Sequence, residues 1–229
     1  LKTIGLLGGM SWESTDLYYQ QINKITQNKL GQLHSAKVIL ISVDFAEIEE
    51  LQYKGLWHEA GLYLQEKAVQ LEKGGADGIL LCTNTMHKVA SYIECSISIP
   101  FIHIADATAK EILSKNIKKV GLLGTAFTME QDFYTSRLEN QGIEVVIPDT
   151  DDRKVVHDVI YNELCLGVIK KQSQQKYVQI VDKLISSGVE GIILGCTEIC
   201  MLIGDIKFSV PVFDTTAIHA KAAVDFSLS

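Results

Sequence analysis

Two apolar runs end on a cysteine followed by a threonine, Ile79-Leu80-Leu81-Cys82-Thr83-Asn84-Thr85 and Ile192-Ile193-Leu194-Gly195-Cys196-Thr197-Glu198, with the cysteines 114 positions apart. Nearly the same offset relates three further blocks. Ile4-Gly5-Leu6-Leu7-Gly8 matches Val120-Gly121-Leu122-Leu123-Gly124, Gly75-Ala76-Asp77-Gly78 matches Gly188-Val189-Glu190-Gly191, and Ile99-Pro100-Phe101 matches Val210-Pro211-Val212. Spacing this constant marks two copies of one ancestral half, each about the length of a small domain. The chain must therefore fold as a pair of similar halves, each presenting one thiol at the same place.

Within each half, short apolar runs alternate with amphipathic stretches. Thr3 to Leu7, ended by Gly8-Gly9, reads as a buried parallel strand turning into a helix. That helix, from near Ser11 to about Asn28, sets Leu17, Tyr18, Ile22 and Ile25 on one face. Strands are predicted at Val38 to Val43, Gly78 to Leu81 and Phe101 to Ile104, with helices at Ala60 to Lys73, His87 to Ile93 and Ala107 to Leu113. The second half repeats the plan. Its strands are Lys119 to Leu123, Glu144 to Ile147, Gly191 to Leu194 and Val210 to Phe213; its helices are Glu130 to Glu139, two within 152–169 and 173–186, and one from about Ala217. Strands separated by helices imply βαβ units, hence an α/β chain with a doubly wound parallel sheet in each half.

Composition excludes several classes of function. At 229 residues, 47% hydrophobic, the chain can bury two modest cores. A net charge of −7 without blocks of like charge makes nucleic acid a poor partner. No apolar stretch approaches the ~20 residues that span a bilayer, so no membrane partner is expected. Leu1-Lys2-Thr3 runs directly into a strand, which reads as a start without a signal peptide. Five cysteines without dense spacing fit reduced thiols and a cytoplasmic location. There is no GxGxxG or P-loop string, and His87 lacks companions for a metal site, so neither cofactor nor metal is expected.

The layout says where chemistry should lie. Ligands of open α/β sheets bind at the carboxyl ends of strands, where Gly8-Gly9, Cys82, Gly124-Thr125 and Cys196 all fall. If the halves face one another, the two thiols converge on a single cleft. A thiol before a helix start gains from the free N–H groups and the dipole, which predicts a pKa lowered toward neutrality. Thr83, Asn84, Thr85, Thr125 and Thr197 add hydrogen-bonding groups suited to a carboxylate. Two thiols on opposite faces of one carbon can remove a proton from one side and deliver another from the other, which is racemase or epimerase chemistry and needs no cofactor. Cys95, Cys165 and Cys200 read as structural. Of Met10, Trp12 and Tyr18, packing residues otherwise, Met10 is favoured to line the cleft.

The strings Gly8-Gly9-Met10-Ser11, Leu81-Cys82-Thr83-Asn84-Thr85-Met86-His87, Gly121-Leu122-Leu123-Gly124-Thr125 and Gly195-Cys196-Thr197-Glu198 resemble the aspartate/glutamate racemase family over essentially the whole chain. They are most similar to bacterial members acting on both amino acids. The resemblance implies two flavodoxin-like domains with the active site in the cleft between them, and pyridoxal-phosphate-independent exchange at Cα by Cys82 and Cys196. It also implies a homodimer and a discontinuous first domain, residues 1–98 plus 212–229, with 99–211 as the second. Glu198 stands where the glutamate racemase branch has histidine and the aspartate branch commonly has glutamate. Some aspartate racemases clamp the distal carboxylate with an arginine after the second strand; Val43 to Gly55 contains none. Gln52 is the substitute there, with Lys54 nearby, so the implied binding set is Gly9, Met10, Gln52, Thr83, Asn84, Thr85, Thr125, Thr197 and Glu198, and the substrate is aspartate, glutamate or both. Two alternatives stand beside this reading: a related two-cysteine enzyme on another small acid, of the hydantoin racemase, maleate isomerase or decarboxylase type, and a non-catalytic amino-acid-binding protein with inert thiols.

Overall fold

The apolar runs Thr3–Gly8 (β1), Gly78–Leu81 (β3), Lys119–Gly124 (β4) and Gly191–Gly195 (β6) are buried along almost their whole length, as parallel strands covered on both faces must be. In the computed structural model, which describes residues 1–204 and 206–229, they are strands of two parallel sheets, with β1, β4 and β6 flanked by a strand on each side. With β2 at Lys37–Ser42, β5 at Glu144–Val146 and β7 at Val212–Asp214, the sheet orders are β2-β1-β3 and β5-β4-β6-β7. Contacts divide the chain into a first unit, Leu1–Ile104 with His219–Ser229, and a second, Ala105–Ile218.

In the first unit helices cover both faces of the sheet. On one side, helix α1 (Trp12–Leu30) and the end of the last helix, α11 (Thr215–Leu228), pack Tyr18, Ile22, Ala220, Ala223 and Val224 against Ile4, Leu6 and Leu80. On the other, α3 (Trp57–Lys73) packs Ala60, Leu64, Ala68 and Leu71 against Leu7, Ile79 and Leu81. Alternate residues of one strand thus feed two cores, each fully buried large side chain contributing ~1.5–3 kcal/mol. Before α3 stands α2 (Phe45–Tyr53), a helix absent from the sequence reading. Its start is written as Asp44-Phe45-Ala46-Glu47, the spacing of a capping box, and Asp44 Oδ1 accepts from Ala46 N–H at 3.0 Å.

The second unit follows the same plan with more helices. The first unit closes on α4 (Ala90–Glu94), and past α5 (Ile104–Ser114) the helix predicted from Glu130 to Glu139 is α7 (Asp132–Glu139), preceded by an unpredicted short helix, α6 (Ala126–Glu130), from which an extended Gln131 separates it. Helices α8 (Thr150–Asn162), α9 (Lys171–Ser186) and α10 (Thr197–Ile203) bury Val156, Ile160, Tyr177, Val181, Leu184, Ile199 and Leu202 with Leu123, Ile192 and Leu194.

The repeat is physical as well as textual. Asp77 and Glu190 sit at matching positions, and each carboxylate accepts from the backbone at the start of the first strand of its half, Thr3 N–H at 2.6 Å and Lys118 N–H at 2.8 Å. Ile79 N–H donates to Pro100 O and Ile192 N–H to Pro211 O in the same way. The halves then part. β7 pairs with β6 over Val212–Asp214, whereas the predicted strand Phe101 to Ile104 is reduced to one bridge between Ile79 and Phe101. The reason is local: Ile104 N–H is taken by His87 Nε2 (3.3 Å), and α5 begins there.

Candidate active site

In the first unit β3 stops at Leu81 and the chain turns tightly, Thr83 N–H donating to Leu81 O (2.9 Å). Cys82 N–H still belongs to the ladder, donating to Leu7 O (2.9 Å), and Ser14 Oγ donates to Cys82 O (3.4 Å). The Cys82 side chain is wholly buried in the cluster that holds Ile4, Leu6, Tyr18 and Leu80. His87 clamps the far side of the turn. Because its Nε2 accepts from Ile104 N–H, the ring proton sits on Nδ1, which donates to Thr83 O (2.7 Å). Thr83 is partly exposed; Asn84 and Thr85 are buried, and Thr85 opens a 3-10 turn, Thr85–Val89, where a regular helix is predicted from His87.

The neighbouring turn after β1 is built on Gly9, whose φ of +95° and whose approach to Val43 O, 2.2 Å from where a Cβ would stand, admit only glycine. Its N–H donates to Thr15 Oγ1 (2.8 Å), and that hydroxyl donates to Ser11 O (2.8 Å). Gly9 is therefore a turn residue with its donor already engaged. Met10 is buried with Ile48 and Met86, and Gln52, also buried, directs Nε2 at Met86 Sδ (2.9 Å). Trp12 departs from its expected packing role and is 66% exposed, while Tyr18 is fully buried and donates to His219 Nδ1 (2.8 Å). His219 Nε2 in turn donates to Ile102 O, and burial pushes its pKa down to about 4.

In the second unit Cys196 caps α10 and its thiol donates to Glu198 Oε2 at 2.9 Å, with both side chains buried. Thr125 caps α6, its Oγ1 accepting from Thr128 N–H (3.3 Å), and Thr197 Oγ1 meets Thr216 Oγ1 at 2.9 Å. Thr215 Oγ1 donates to Leu194 O, and His157 Nδ1 accepts from Ala126 N–H (3.1 Å). Thr215, Thr216 and His157 carry no signal in the sequence because they lie outside the repeated strings. Both arginines are engaged, Arg137 with Asp106 (2.7 Å) and Arg153 with Glu130 (2.9 Å).

The expected acidity of the thiols is reversed. Burial alone pushes the Cys82 pKa up. Burial does the same to Cys196, reinforced by the Glu198 charge and the hydrogen bond to it. The cause is plain: a thiolate inside loses its hydration, while the dipoles at hand are those of a short 3-10 turn and of a helix of 7 residues. Cys200 is likewise pushed up by burial and by Asp214, and Cys95 is exposed. Among the described residues no His, Cys, Asp and Glu cluster could hold a metal ion, and no helix is long and apolar enough to cross a membrane.

Residues 7–223 match the model of the Asp/Glu/hydantoin racemase family. The chain belongs to that family. It is 28% identical to the broad specificity amino-acid racemase RacX of Bacillus subtilis over 99% of this chain and 98% of that one. Among solved structures, a Yersinia pestis protein is 55% identical with a TM-score of 0.95, and an aspartate racemase homologue from Pyrococcus horikoshii OT3 is 35% identical with a TM-score of 0.88, each over 100% of both chains. Family and fold thus agree with the doubly wound pair of sheets.

Proposed function

We propose that this protein is a cofactor-independent racemase that interconverts the enantiomers of aspartate, glutamate or both, with Cys82 and Cys196 as its two acid–base groups. One cysteine as thiolate takes the α-proton, leaving a carbanion, and the other as thiol gives its proton to the opposite face; the mirror substrate runs the same steps in reverse. Family membership supports the reaction class. The single observation that carries the assignment of residues is the repeat itself, which sets a thiol one residue past each of two equivalent strands, β3 and β6.

Glu198 gives the pair a direction. A carboxylate 2.9 Å from Sγ disfavours a thiolate at Cys196, so the proton rests there and the negative charge, once formed, belongs to Cys82. The α-ammonium of a bound amino acid lowers the cost of that charge. Thr83, Asn84, Thr85, Thr125 and Thr197 hold the substrate carboxylates, Met10 and Gln52 line the side-chain end, and Gly9 shapes the turn beside them. With both arginines in ion pairs, hydroxyl and amide donors do the holding, and such a clamp discriminates weakly between side-chain lengths.

The test is incubation of L-aspartate and L-glutamate separately without added cofactor, followed by chiral chromatography. The reading expects the D-enantiomer to accumulate to equality with the L form for at least one of them. Stable binding of either amino acid with no conversion would favour a binding protein instead.

A further inference from the structure

Helix α6 has only 5 residues, Ala126–Glu130, too few to hold itself together. It is fastened from outside, by α8, at both ends. Arg153 Nε donates to Glu130 Oε1 (2.9 Å) at its carboxyl end, and His157 Nδ1 accepts from Ala126 N–H (3.1 Å) at its amino end. The two fasteners stand four residues apart, on one face of α8. Beside the end that His157 holds lies Thr125, whose Oγ1 accepts from Thr128 N–H (3.3 Å) and meets Thr128 Oγ1 at 3.2 Å. The fasteners differ in kind. A guanidinium keeps its charge and its donors at every working pH, whereas an imidazole accepts at Nδ1 only while it is neutral with its proton on Nε2. Once protonated it has a donor on each nitrogen, and Nδ1–H cannot face Ala126 N–H.

We propose that His157 is the positioning residue of the Thr125 turn and makes substrate binding sensitive to acid: the neutral ring fixes Thr125 where it receives a substrate carboxylate, and the protonated ring lets the turn go. The inference rests on the carboxylate-holding role given to Thr125 above. Asp158 and Lys154 of its own helix and Glu130 of α6 act on the ring, and the Tyr161 ring lies at 4.8 Å between centroids. From α9 comes the Tyr177 hydroxyl, which donates to Val156 O (2.8 Å), while β4 packs Leu123 into the core with Val156 and Ile160. Glu163, just past the end of α8, is engaged by Ser173 (2.7 Å) and Lys170 (3.2 Å). Burial lowers the His157 pKa from the ordinary histidine value, outweighing the pull of the Asp158 and Glu130 carboxylates. The ring is therefore neutral at pH 7 and takes its proton in mild acid. Because no proton of the reaction passes through His157 or Thr125, the loss falls on KM.

Two variants on the full chain test it. His157→Asn offers Oδ1 to the same N–H and takes no proton, and His157→Leu offers no acceptor at all. From about pH 7.5 to about pH 5.5 the KM for aspartate or glutamate rises at least about 5-fold more in wild type than in His157→Asn, the loss of one hydrogen bond, while the kcat profiles of the two coincide. His157→Leu has the raised KM throughout. In wild type without substrate, the Ala126 amide signal in nitrogen-15 spectra moves with the His157 titration, and in His157→Asn it stays in place. Equal KM profiles in wild type and His157→Asn, an unchanged KM in His157→Leu, or an Ala126 signal indifferent to pH overturns the proposal. If wild type racemises neither amino acid, the proposed reaction fails, whereas the Ala126 titration still upholds or overturns the hold of His157 by itself.

Discussion

Cys82 and Cys196 stand at equivalent strand ends in equivalent halves, yet one is wrapped in hydrocarbon and the other is tied to a carboxylate. Both are pushed toward the protonated form, Cys82 by burial alone and Cys196 by burial together with Glu198. Duplication therefore conserved where a sulfur sits and let its electrostatics diverge. In the proposed reaction that asymmetry matters, because a racemase must hold its two bases in opposite protonation states, and a charged neighbour on one side decides which state is the resting one.

The largest expected effect tests whether the two sites are equal in need. Cys82→Ala and Cys196→Ala each lower the racemisation rate by at least about 10³-fold, read by chiral chromatography, since removing one member of a unit costs nearly as much as removing both. A variant with near wild-type rate would make its cysteine a packing residue.

Glu198→Gln probes the difference between the sites. It keeps the shape and removes the charge, so the Cys196 thiolate absorbance develops at lower pH than in wild type. The value of kcat/KM falls by about 10–100-fold. Because the equilibrium constant of a racemisation is one, that fall must be equal for both enantiomers, and the altered resting state appears as a changed ratio of the two kcat values. An unmoved titration would mean that Glu198 exerts no hold on the thiol.

A third contrast lies in stability. His219 packs in the first unit with its pKa lowered to about 4 by burial, while the unfolded chain titrates near 6.5. Between those values the unfolded state binds the proton and the folded state does not, so stability falls as pH drops through that window, by ~3 kcal/mol at most. Urea unfolding at pH 7 and pH 4.5 reads the loss, and His219→Asn should flatten it. The thiols act at the other end: with folded pKa values raised, they withdraw stability as pH climbs above the ordinary thiol value of ~8.5. The smallest effect compares the turns. Thr15→Val and Thr128→Val remove hydroxyls that brace β1 and β4 ends, and each costs ~1 kcal/mol in chemical denaturation.

The sequence disclosed most where the repeat did the reading. Strands β1, β3, β4 and β6, the long helices α1, α3 and α9 and the placement of Cys82 and Cys196 all follow from apolar runs and offsets. What it hid were features set by single contacts. The strand predicted at Phe101 fails because one imidazole takes Ile104 N–H, and α2 escapes the apolar periodicity although Asp44-Phe45-Ala46-Glu47 carries a capping signature. The acidity of the thiols departs from expectation because proximity to a helix start says nothing of how deeply a side chain is buried. That the Gly9 N–H is engaged follows only from the folded chain, which brings Thr15 Oγ1 back to it.

The most direct test of two opposed bases is α-proton exchange in deuterated water by the single variants, following each enantiomer by mass spectrometry. The account predicts that Cys82→Ala and Cys196→Ala, though unable to racemise, each retain exchange on one enantiomer only, and on opposite ones. Exchange of the same enantiomer by both variants, or racemisation that persists in either, would contradict it.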